Sequence, residues 1–527
     1  MAELDFREVF RLVPSFGTYQ KLRFFGLNCL LLFFTVSSAG NMIFSFSAPQ
    51  YHCGDGNSSC QPNKCCDNCT SYVFDGPFTS IVSEWNLLCE RSYISALVQS
   101  MYFVGYLFGS FLSGTVSDAF GRKITLTVSV ALQAAAFIGA SFVTSHIALI
   151  ILIFFAGLSL ASSITCQYTL IIEMIGPDHR TIAGIINELF WKAGWFLIIL
   201  VAYFIRDWRT FMLIGAAPGL AILLFWKWIF ESPRWLLTKG RLDEAHEILV
   251  NFGGKSKEQP LDKNSLRQLI ERIRESQVKR EGEVTKRHTQ LDMVRTPKMR
   301  KFTLVMAINW CTVALSSYGF TLFMSSLAGD LYLNLVYSAI LPTLLLPVIG
   351  CLIAKFGRRL IHIIFMALSG ALCIGILAVP SGYPLLMTGL ALTARGVIGA
   401  LWTTIYLITS ELYPTTIRNT AIGTCATFAR IGGLVAPYVI MLKDLPGVSL
   451  YLPVILFGCL CILAAIAFFF IPETLKVPLA QSVEEAENRA DNYALCIGCE
   501  RMPSFIEEVP VEMECPVHLT SVTKQKD

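Results

Sequence analysis

The stretch 114–123 reads GTVSDAFGRK, and the same pattern returns at 350–359 as GCLIAKFGRR. Each stretch follows one long apolar run and precedes another, so we expect each to form a tight, cationic turn between two membrane spans. Because the chain repeats such a turn, we expect it to consist of two related halves.

The composition is typical of a membrane protein. Hydrophobic residues make up 54% of the 527 residues and charged residues only 15%, and the mean hydropathy is +0.57. An ordinary soluble domain is less apolar and more highly charged. The length is sufficient for about a dozen spans of ~20 residues each. The formal net charge of +4 is too small to indicate nucleic-acid binding.

Apolar runs of spanning length fall into two groups of six. They are 22–46, 94–114, 124–144, 147–172, 182–203 and 210–230, then 302–323, 335–355, 360–379, 384–408, 419–442 and 450–471. The pattern predicts an all-α membrane protein with twelve transmembrane helices in two pseudo-symmetric six-helix bundles. The expected organisation is an N-terminal segment 1–21, a first bundle 22–230, a linker 231–301 with short amphipathic helices, a second bundle 302–471 and a tail 472–527.

The distribution of lysine and arginine predicts the orientation. Basic residues of the two turns, of the linker and of the helix ends at Arg180 and Arg418 fall on one side, whereas the segment 47–93 on the other side holds only Lys64 and Arg91. By the positive-inside rule both termini are cytoplasmic and 47–93 is extracellular. We expect a multi-pass protein of the plasma membrane.

The predicted extracellular segment is rich in cysteine. Six of the 17 cysteines lie in it, beside the glycosylation sequons at Asn57 and Asn68; the six are Cys53, Cys60, Cys65, Cys66, Cys69 and Cys89. An even number of cysteines beside sequons is typical of a disulfide-bonded extracellular loop. A metal site at the closely spaced 65–69 cysteines is the alternative, and the sequence does not give the pairing of the disulfides.

Charged residues recur at matching helix ends of the two halves. EMIGPDHR at 173–180 resembles ELYPTTIR at 411–418, and Glu231 after the sixth span corresponds to Glu473 after the twelfth. We predict that these charges form a gate that latches the two halves together, as rocking six-helix halves require; anchoring of helix ends at the membrane surface is the alternative. The predicted gate residues are Asp118, Arg122, Glu173, Arg180, Glu231, Arg234, Arg358, Glu411, Arg418 and Glu473. Since Ala354 replaces the acid of Asp118, we expect the first copy to control closure.

These motifs carry a family resemblance that extends from about residue 5 to about residue 487. The stretch 114–123 resembles the loop signature of the major facilitator superfamily. ESPRWL at 231–236, ELYPTTIR at 411–418, FGTYQ at 16–20, LAGDLYLN at 327–334 and the cysteine-rich loop are similar to the organic cation, anion and zwitterion transporter family. YFIRDWR at 203–209 resembles its carnitine-type branch. The resemblance implies a major facilitator fold and transport by alternating access.

Four ionisable residues inside the predicted spans are candidate substrate contacts: Glu188, Lys192, Arg395 and Arg430. Glu188 and Lys192 lie one helical turn apart and could neutralise each other. Arg430 has no acidic residue within one turn, and its guanidinium suits a carboxylate, sulfate or phosphate; a structural arginine bonded to carbonyl groups is the alternative. The resemblance implies arginine here in anion and carnitine-type carriers and aspartate in cation carriers. Arg395 is either a second anion contact or the partner of a buried carboxylate.

Aromatic and uncharged polar residues in the same spans would complete a site for varied organic ions, since aromatic faces attract ammonium groups. The aromatic candidates are Trp191, Trp195, Trp310, Tyr318, Phe323, Trp402, Tyr406 and Phe428, with Tyr102 in the second span, and the polar ones are Gln167, Asn187 and Asn309. Packing between helices or against lipid is the alternative for each of them.

The sequence predicts a carrier of small organic anions or carnitine-like zwitterions, with Arg430 as the main contact. It contains neither a Walker motif nor an ordered catalytic motif, which argues against an ATP-driven pump and against an enzyme. An organic cation carrier, a sugar-type carrier and a receptor on the same fold are the alternatives. We expect no cofactor, although sodium, a proton or an exchanged anion would drive transport, and the oligomeric state is left open.

Overall fold

The computed structural model describes residues 6–54, 63, 65, 69, 71–253, 262–282, 291–380, 382–414, 416–445, 448–475, 477, 480 and 482–488. The helices of the N-terminal half are α1 (Thr18–Phe44), α2 (Ile81–Trp85), α3 (Ser92–Phe120), α4 (Arg122–Phe142), α5 (His146–Glu173), α6 (Arg180–Phe204) and α7 (Trp208–Leu224). The linker contains α8 (Pro233–Thr238), α9 (Leu242–Gly253), α10 (Lys263–Gly282) and α11 (Asp292–Arg295). The C-terminal half contains α12 (Pro297–Phe323), α13 (Leu331–Phe356), α14 (Arg358–Gly375), α15 (Pro384–Leu412), α16 (Arg418–Met441) and α17 (Leu452–Phe468), and α18 (Val483–Asn488) follows it.

Within these described ranges, ten helices are long and apolar enough to cross a membrane: α1, α3, α4, α5, α6, α12, α13, α14, α15 and α16. The remaining two predicted spans, 210–230 and 450–471, contain the apolar helices α7 and α17, each of only 17 residues. The chain leaves α7 at Phe225 and forms turns, in which the ring of Trp228 packs on the guanidinium of Arg23 at 4.4 Å. The chain is a multi-pass membrane protein.

The segment 47–93 contains structure that the all-helical prediction missed. Two short strands, β1 (Tyr51–Cys53) and β2 (Tyr72–Phe74), pair antiparallel with Tyr51 opposite Phe74. Disulfides join Cys53 to Cys69 and Cys65 to Cys89. The second disulfide ties the segment to the residues immediately before α3. The other predicted disulfide and glycosylation residues, Cys60, Cys66, Asn57 and Asn68, lie outside the described residues.

The repeated turns have the same geometry in both halves. Gly121 and Gly357, which separate α3 from α4 and α13 from α14, both have φ of +103°. At each turn a glutamate accepts hydrogen bonds from the first backbone N–H groups of the following helix. Glu231 binds the N–H groups of Arg122 at 2.9 Å and Lys123 at 3.2 Å, and Glu473 binds those of Arg358 at 2.9 Å and Arg359 at 3.0 Å. The carboxylate thereby satisfies donors that the start of a helix leaves without partners.

Glycine is required at both turns for two reasons. A φ of +103° lies in a region that L-residues with a side chain rarely adopt. In addition, a Cβ at Gly121 would overlap the carboxylate of Glu231, and one at Gly357 would overlap that of Glu473. Burial raises the pKa of the Glu231 carboxyl, although the N–H groups of Ser232, Lys123 and Arg122 bind it. The two turns are therefore equivalent structures in related halves.

The linker helices pack on the N-terminal half. Apolar residues of α9 and α10 are fully buried in one cluster with the short helix Phe6–Arg11, α1 and α8; they include Leu249, Leu266, Ile270 and Ile273. The amphipathic stretches of the linker thus bury their apolar faces against the N-terminal half.

The two halves meet through α3 with α16 and through α6 with α13. We call the end of the molecule with segment 47–93 the loop end, and the end with the repeated turns the turn end. Towards the loop end, Ser100 Oγ of α3 donates to the Leu434 carbonyl of α16 at 2.9 Å. There Tyr332 of α13 also donates to the Ala202 carbonyl of α6 at 3.2 Å.

Glycines of the same four helices have empty space beside them at the turn end. A Cβ added at Gly114, Gly184, Gly350 or Gly423 would meet no atom within 4 Å. These glycines lie in the turn-end parts of α3, α6, α13 and α16. The two hydrogen bonds between the halves named above thus lie at the loop end, whereas these turn-end glycines are not covered by the other half.

Candidate functional site

Arg430 lies at the middle of α16 and contacts both halves of the protein. Its Nη1 donates to the hydroxyl of Tyr318 on α12 at 3.1 Å, and its guanidinium lies 3.8 Å from the ring centroid of Tyr106 on α3. Its Nε is buried and has no hydrogen-bond partner among the described residues. The partners are thus a phenol and an aromatic face, and not the backbone carbonyls that a purely structural arginine was expected to bind.

Two glycines after Arg430 allow this arrangement. A Cβ at Gly432 would overlap the Cys311 carbonyl of α12, and a Cβ at Gly433 would lie 2.6 Å from the ring of Phe103 on α3. Since α16 can approach both helices this closely, the guanidinium one turn earlier is placed between α3 and α12. The sequence ARIGG at 429–433 therefore determines where the arginine lies.

The other charged candidates come from both halves. The Nε of Arg395 on α15 is buried without a partner among the described residues. Lys192 on α6 lies close enough to Arg395 and to Glu188 for electrostatic interaction. Glu188 and Lys192 do not form an ion pair in the part of the chain that the structure describes, so they do not neutralise each other by direct contact. Glu188 is exposed.

Three of the aromatic candidates form a cluster of rings on α12 and α15, and four others are partly buried. On α12 and α15 the ring of Tyr406 lies 4.5 Å from that of Trp310 and 6.3 Å from that of Trp402. Trp310 is fully buried and donates to Thr409, and Trp402 donates to Ser317. Tyr406 is 42% exposed. Trp191, Trp195, Tyr318 and Phe428 are partly buried. In this state Trp310 supports the other two rings and offers no surface to a ligand.

Three predicted contacts are engaged elsewhere. Asn309 is fully buried, donates to the Val305 and Ala464 carbonyls and lies 3.4 Å from Nε2 of His362. Phe323 is fully buried near the loop end against Tyr451. Asn309 and Phe323 are therefore packed inside the C-terminal half in this structure, and their role as substrate contacts stays a prediction. Gln167 donates to Asn28 at 3.3 Å inside the N-terminal half.

Tyr106 contacts Arg430 but was not among the residues predicted from the sequence. It follows Tyr102 by one helical turn, so both side chains project from the same face of α3. The ring centroids are 6.3 Å apart. The four-residue separation of Tyr102 and Tyr106 in the sequence was the available signal, because a residue four positions from a candidate on a helix lies on the same face and is a candidate as well.

The predicted gate residues form two similar clusters, one in each half. Arg122 lies 2.8 Å from Asp118 and 3.3 Å from Glu173, and Arg358 lies 3.2 Å from Glu411. These ion pairs each lie within one half, so none of them joins the halves. The second cluster lacks an equivalent of Asp118, because Ala354 stands at the corresponding position.

The remaining gate candidates have other surroundings. Glu231 and Glu473 bind the helix N-termini described above. Arg180 Nε donates to the Ile175 carbonyl at 3.1 Å, and Arg234 is exposed. Nε and Nη2 of Arg418 are buried with no hydrogen-bond partner among the described residues. The prediction that these charges latch the halves stays a prediction.

Comparison with known proteins identifies the family. Residues 40–485 match the family described as Sugar (and other) transporter. An organic cation transporter protein from Drosophila melanogaster is 32% identical over 429 residues, which cover 80% of this chain and 76% of that protein. Solute carrier family 22 member 7 from Bos taurus is 33% identical over 417 residues, 78% of this chain and 74% of its own length. The chain belongs to solute carrier family 22.

Other members and solved structures are consistent with that assignment. Human organic cation/carnitine transporter 2 is 31% identical over 413 residues, 77% of this chain and 72% of that protein. The inward-open structure of the xylose transporter XylE from E. coli aligns with a TM-score of 0.61 at 16% identity and covers 89% of this chain and 98% of that one. The family assignment and the major facilitator fold are confirmed. As a member of solute carrier family 22, the chain is a membrane transporter and not an enzyme.

Proposed function

We propose that this chain carries small organic anions or carnitine-like zwitterions across the plasma membrane by alternating access. Arg430 is the observation on which the proposal depends. It lies mid-span, and its guanidinium retains a buried Nε without a partner among the described residues. A buried guanidinium with an unpartnered N–H donor suits a carboxylate, because the two groups form charge-assisted hydrogen bonds.

The charges around Arg430 support an anionic group on the substrate. Arg395 and Lys192 add two cations, whereas Glu188 is the acidic residue that interacts with Lys192 and lies near Tyr406. In a space shielded from bulk water such an excess of positive charge favours an anion. A zwitterion would place its carboxylate at Arg430 and its ammonium towards Glu188 and the face of Tyr406.

The empty space beside the turn-end glycines and the contacts at the loop end support alternating access, because they fit a state that is open at the turn end. We assign the turn end to the cytoplasm, because both arginine-containing turns lie there, and the disulfide-bonded loop end to the outside. Both termini are then cytoplasmic and the structure is the inward-facing state. We also count α7 and α17 as spans, which gives twelve. At about 1.5 Å per residue a helix of 17 residues extends about 26 Å, close to the ~30 Å hydrocarbon core.

Transport of organic cations is the second candidate. The exposed carboxylate of Glu188 beside Tyr406 favours it, because a carboxylate and an aromatic face are the groups that hold ammonium ions. Relatives in the family include a protein named for cation transport. In that case the cluster of Arg430, Arg395 and Lys192 would oppose the substrate.

Uptake into cells that express the protein decides between the candidates. Carnitine, urate, succinate and tetraethylammonium are presented in labelled form, with sodium, pH and the internal anion varied to find the driving force. We expect saturable uptake of at least one carboxylate or of carnitine, and its loss in Arg430→Asp at equal surface amounts. Normal carboxylate uptake by Arg430→Asp would contradict the proposal, and uptake of tetraethylammonium alone by the wild type would favour the cation carrier.

A further inference from the structure

The contact between Arg430 and Tyr106 joins the two halves at the centre of the protein. Arg430 belongs to α16 of the C-terminal half and Tyr106 to α3 of the N-terminal half. We propose that Tyr106 is a positioning residue, which holds the guanidinium of Arg430 flat so that its edge is presented to the anionic group of the substrate. This inference rests on the proposed function and adds a residue that sets substrate affinity.

The geometry separates the face of the guanidinium from its edge. The ring centroid of Tyr106 lies 3.8 Å from the guanidinium carbon, so the ring covers a face of the group. The N–H bonds of a guanidinium lie in its plane and point away from that ring. Nη1 is bound to Tyr318 at 3.1 Å, while Nε is free of partners among the described residues. A carboxylate that binds Nε therefore does not compete with the ring.

The backbone of α3 holds Tyr106 rigidly. A Cβ at Gly105 or Gly109 of α3 would overlap the Phe154 or Leu158 carbonyl of α5, and one at Gly157 of α5 would overlap the Tyr102 carbonyl. Three glycines thus allow α3 and α5 to touch backbone to backbone on both sides of Tyr106. Contact at this distance leaves α3 little freedom to shift, so the ring has a fixed position.

Rigid support matters because arginine is a flexible side chain. Fixing its rotamers costs up to about 2 kcal/mol of conformational entropy. When Tyr106 and Tyr318 already hold the side chain, the substrate does not have to order it, and binding is tighter. Without the ring, the Arg430 side chain would populate several rotamers and its guanidinium would be hydrated. Substrate binding would then have to order the side chain and remove that water, which weakens binding. The expected effect falls on KM more than on the maximum rate.

The test compares side chains at position 106 in the full-length protein. Initial uptake of the carboxylate that the wild type takes up best among carnitine, urate and succinate gives KM and the maximum rate, corrected for surface amount. We expect Tyr106→Leu to raise KM about tenfold, the effect of losing a desolvated cation–π contact, and Tyr106→Phe to stay within about twofold because it keeps the aromatic face. If Tyr106→Leu does not reach the surface, Tyr106→Met provides the same comparison.

Recovery by phenylalanine separates positioning from a packing role, because a residue needed only for bulk would tolerate Met as well as Phe. An unchanged KM in Tyr106→Leu or Tyr106→Met, or an equal rise of KM in Tyr106→Phe, would overturn the inference. Arg430→Gln is measured alongside. If Arg430→Gln transports the carboxylate with normal KM, the proposed function itself fails; if only the Tyr106 variants behave normally, the proposed function stands and this inference fails.

Discussion

Alanine at Gly121 is expected to destabilise the N-terminal half severely. The backbone there has φ of +103° and ψ of 157°, a region in which a residue with a side chain is strained by about 1–3 kcal/mol. The new Cβ would also overlap the Glu231 carboxylate. Displacing that carboxylate removes at least one charge-assisted hydrogen bond to the start of α4, which adds about 1.5–3 kcal/mol. The total of about 2.5–6 kcal/mol is a large fraction of the stability of a typical domain.

Gly114 provides a matched control, since it lies seven residues earlier in the same repeated motif. A Cβ at Gly114 meets no atom within 4 Å, and the residue is inside α3, so Gly114→Ala should stabilise by up to about 1 kcal/mol. Gly357→Ala and Gly350→Ala form the corresponding pair in the C-terminal half. Both turn variants should behave alike, because Glu473 repeats the role of Glu231.

The assay is the melting temperature of the purified protein in detergent, followed by size-exclusion chromatography after heating. At about 2–4 °C per kcal/mol for domains of this size, a loss of about 3 kcal/mol lowers the midpoint by about 6–12 °C. Gly121→Ala and Gly357→Ala should show that loss, and the two controls should melt at or above the wild-type temperature. Equal melting of Gly121→Ala and Gly114→Ala would refute the explanation of the turn.

Three further predictions concern the loop end and the gate. The hydrogen bond from Arg209 lowers the pKa of Glu84, so the carboxylate stabilises the fold above its unfolded pKa of about 4.3, and this contribution disappears as the pH falls through the lowered value. Glu84→Gln should therefore melt at a lower temperature than wild type at pH 7, and the difference should shrink as the pH falls below about 4.3; a pH-independent difference would speak against the pair. Replacing Cys53, Cys69 or both by Ser should reduce surface amount equally, because they form one disulfide; additive losses, measured by surface biotinylation, would exclude this pairing. Asp118 is 72% exposed, so its ion pair is worth under about 1 kcal/mol; Asp118→Asn should leave the melting temperature nearly unchanged but slow maximum uptake severalfold if it gates, and normal uptake would remove it from the gate.

The repeated turn shows what sequence alone could predict. Gly121 and Gly357 followed by arginine, between apolar runs, indicated paired turns and two halves, and the family assignment and the major facilitator fold agree. Their partners Glu231 and Glu473 were read as gate charges, because nothing local reveals a hydrogen bond formed across more than a hundred residues of chain. Tertiary packing, which brings α7 back to the start of α4, determines that contact.

The central site shows the same limit. Arg430 stood out because an arginine without an acidic partner is rare inside a span. The spacing from Tyr102 could have marked Tyr106 as a candidate, but its contact with Arg430 depends on the packing of α3 against α16. Asn309 illustrates the limit in another way. It lies nine residues before Tyr318 on α12, and at about 100° per residue the two side chains project from opposite sides of the helix. Asn309 accordingly faces the interior of its own half.

The most direct test of the central claim is the uptake of a labelled carboxylate by Arg430→Gln. Glutamine keeps polarity and much of the length but removes the charge and the paired donors, so we predict a fall of at least about thirtyfold in Vmax/KM, corresponding to about 2 kcal/mol. Arg272→Gln, which removes an exposed arginine of the linker helix α10, is the matched control and should transport normally. Arg430→Gln at the cell surface with wild-type uptake of the carboxylate would contradict the claim that this arginine binds the substrate.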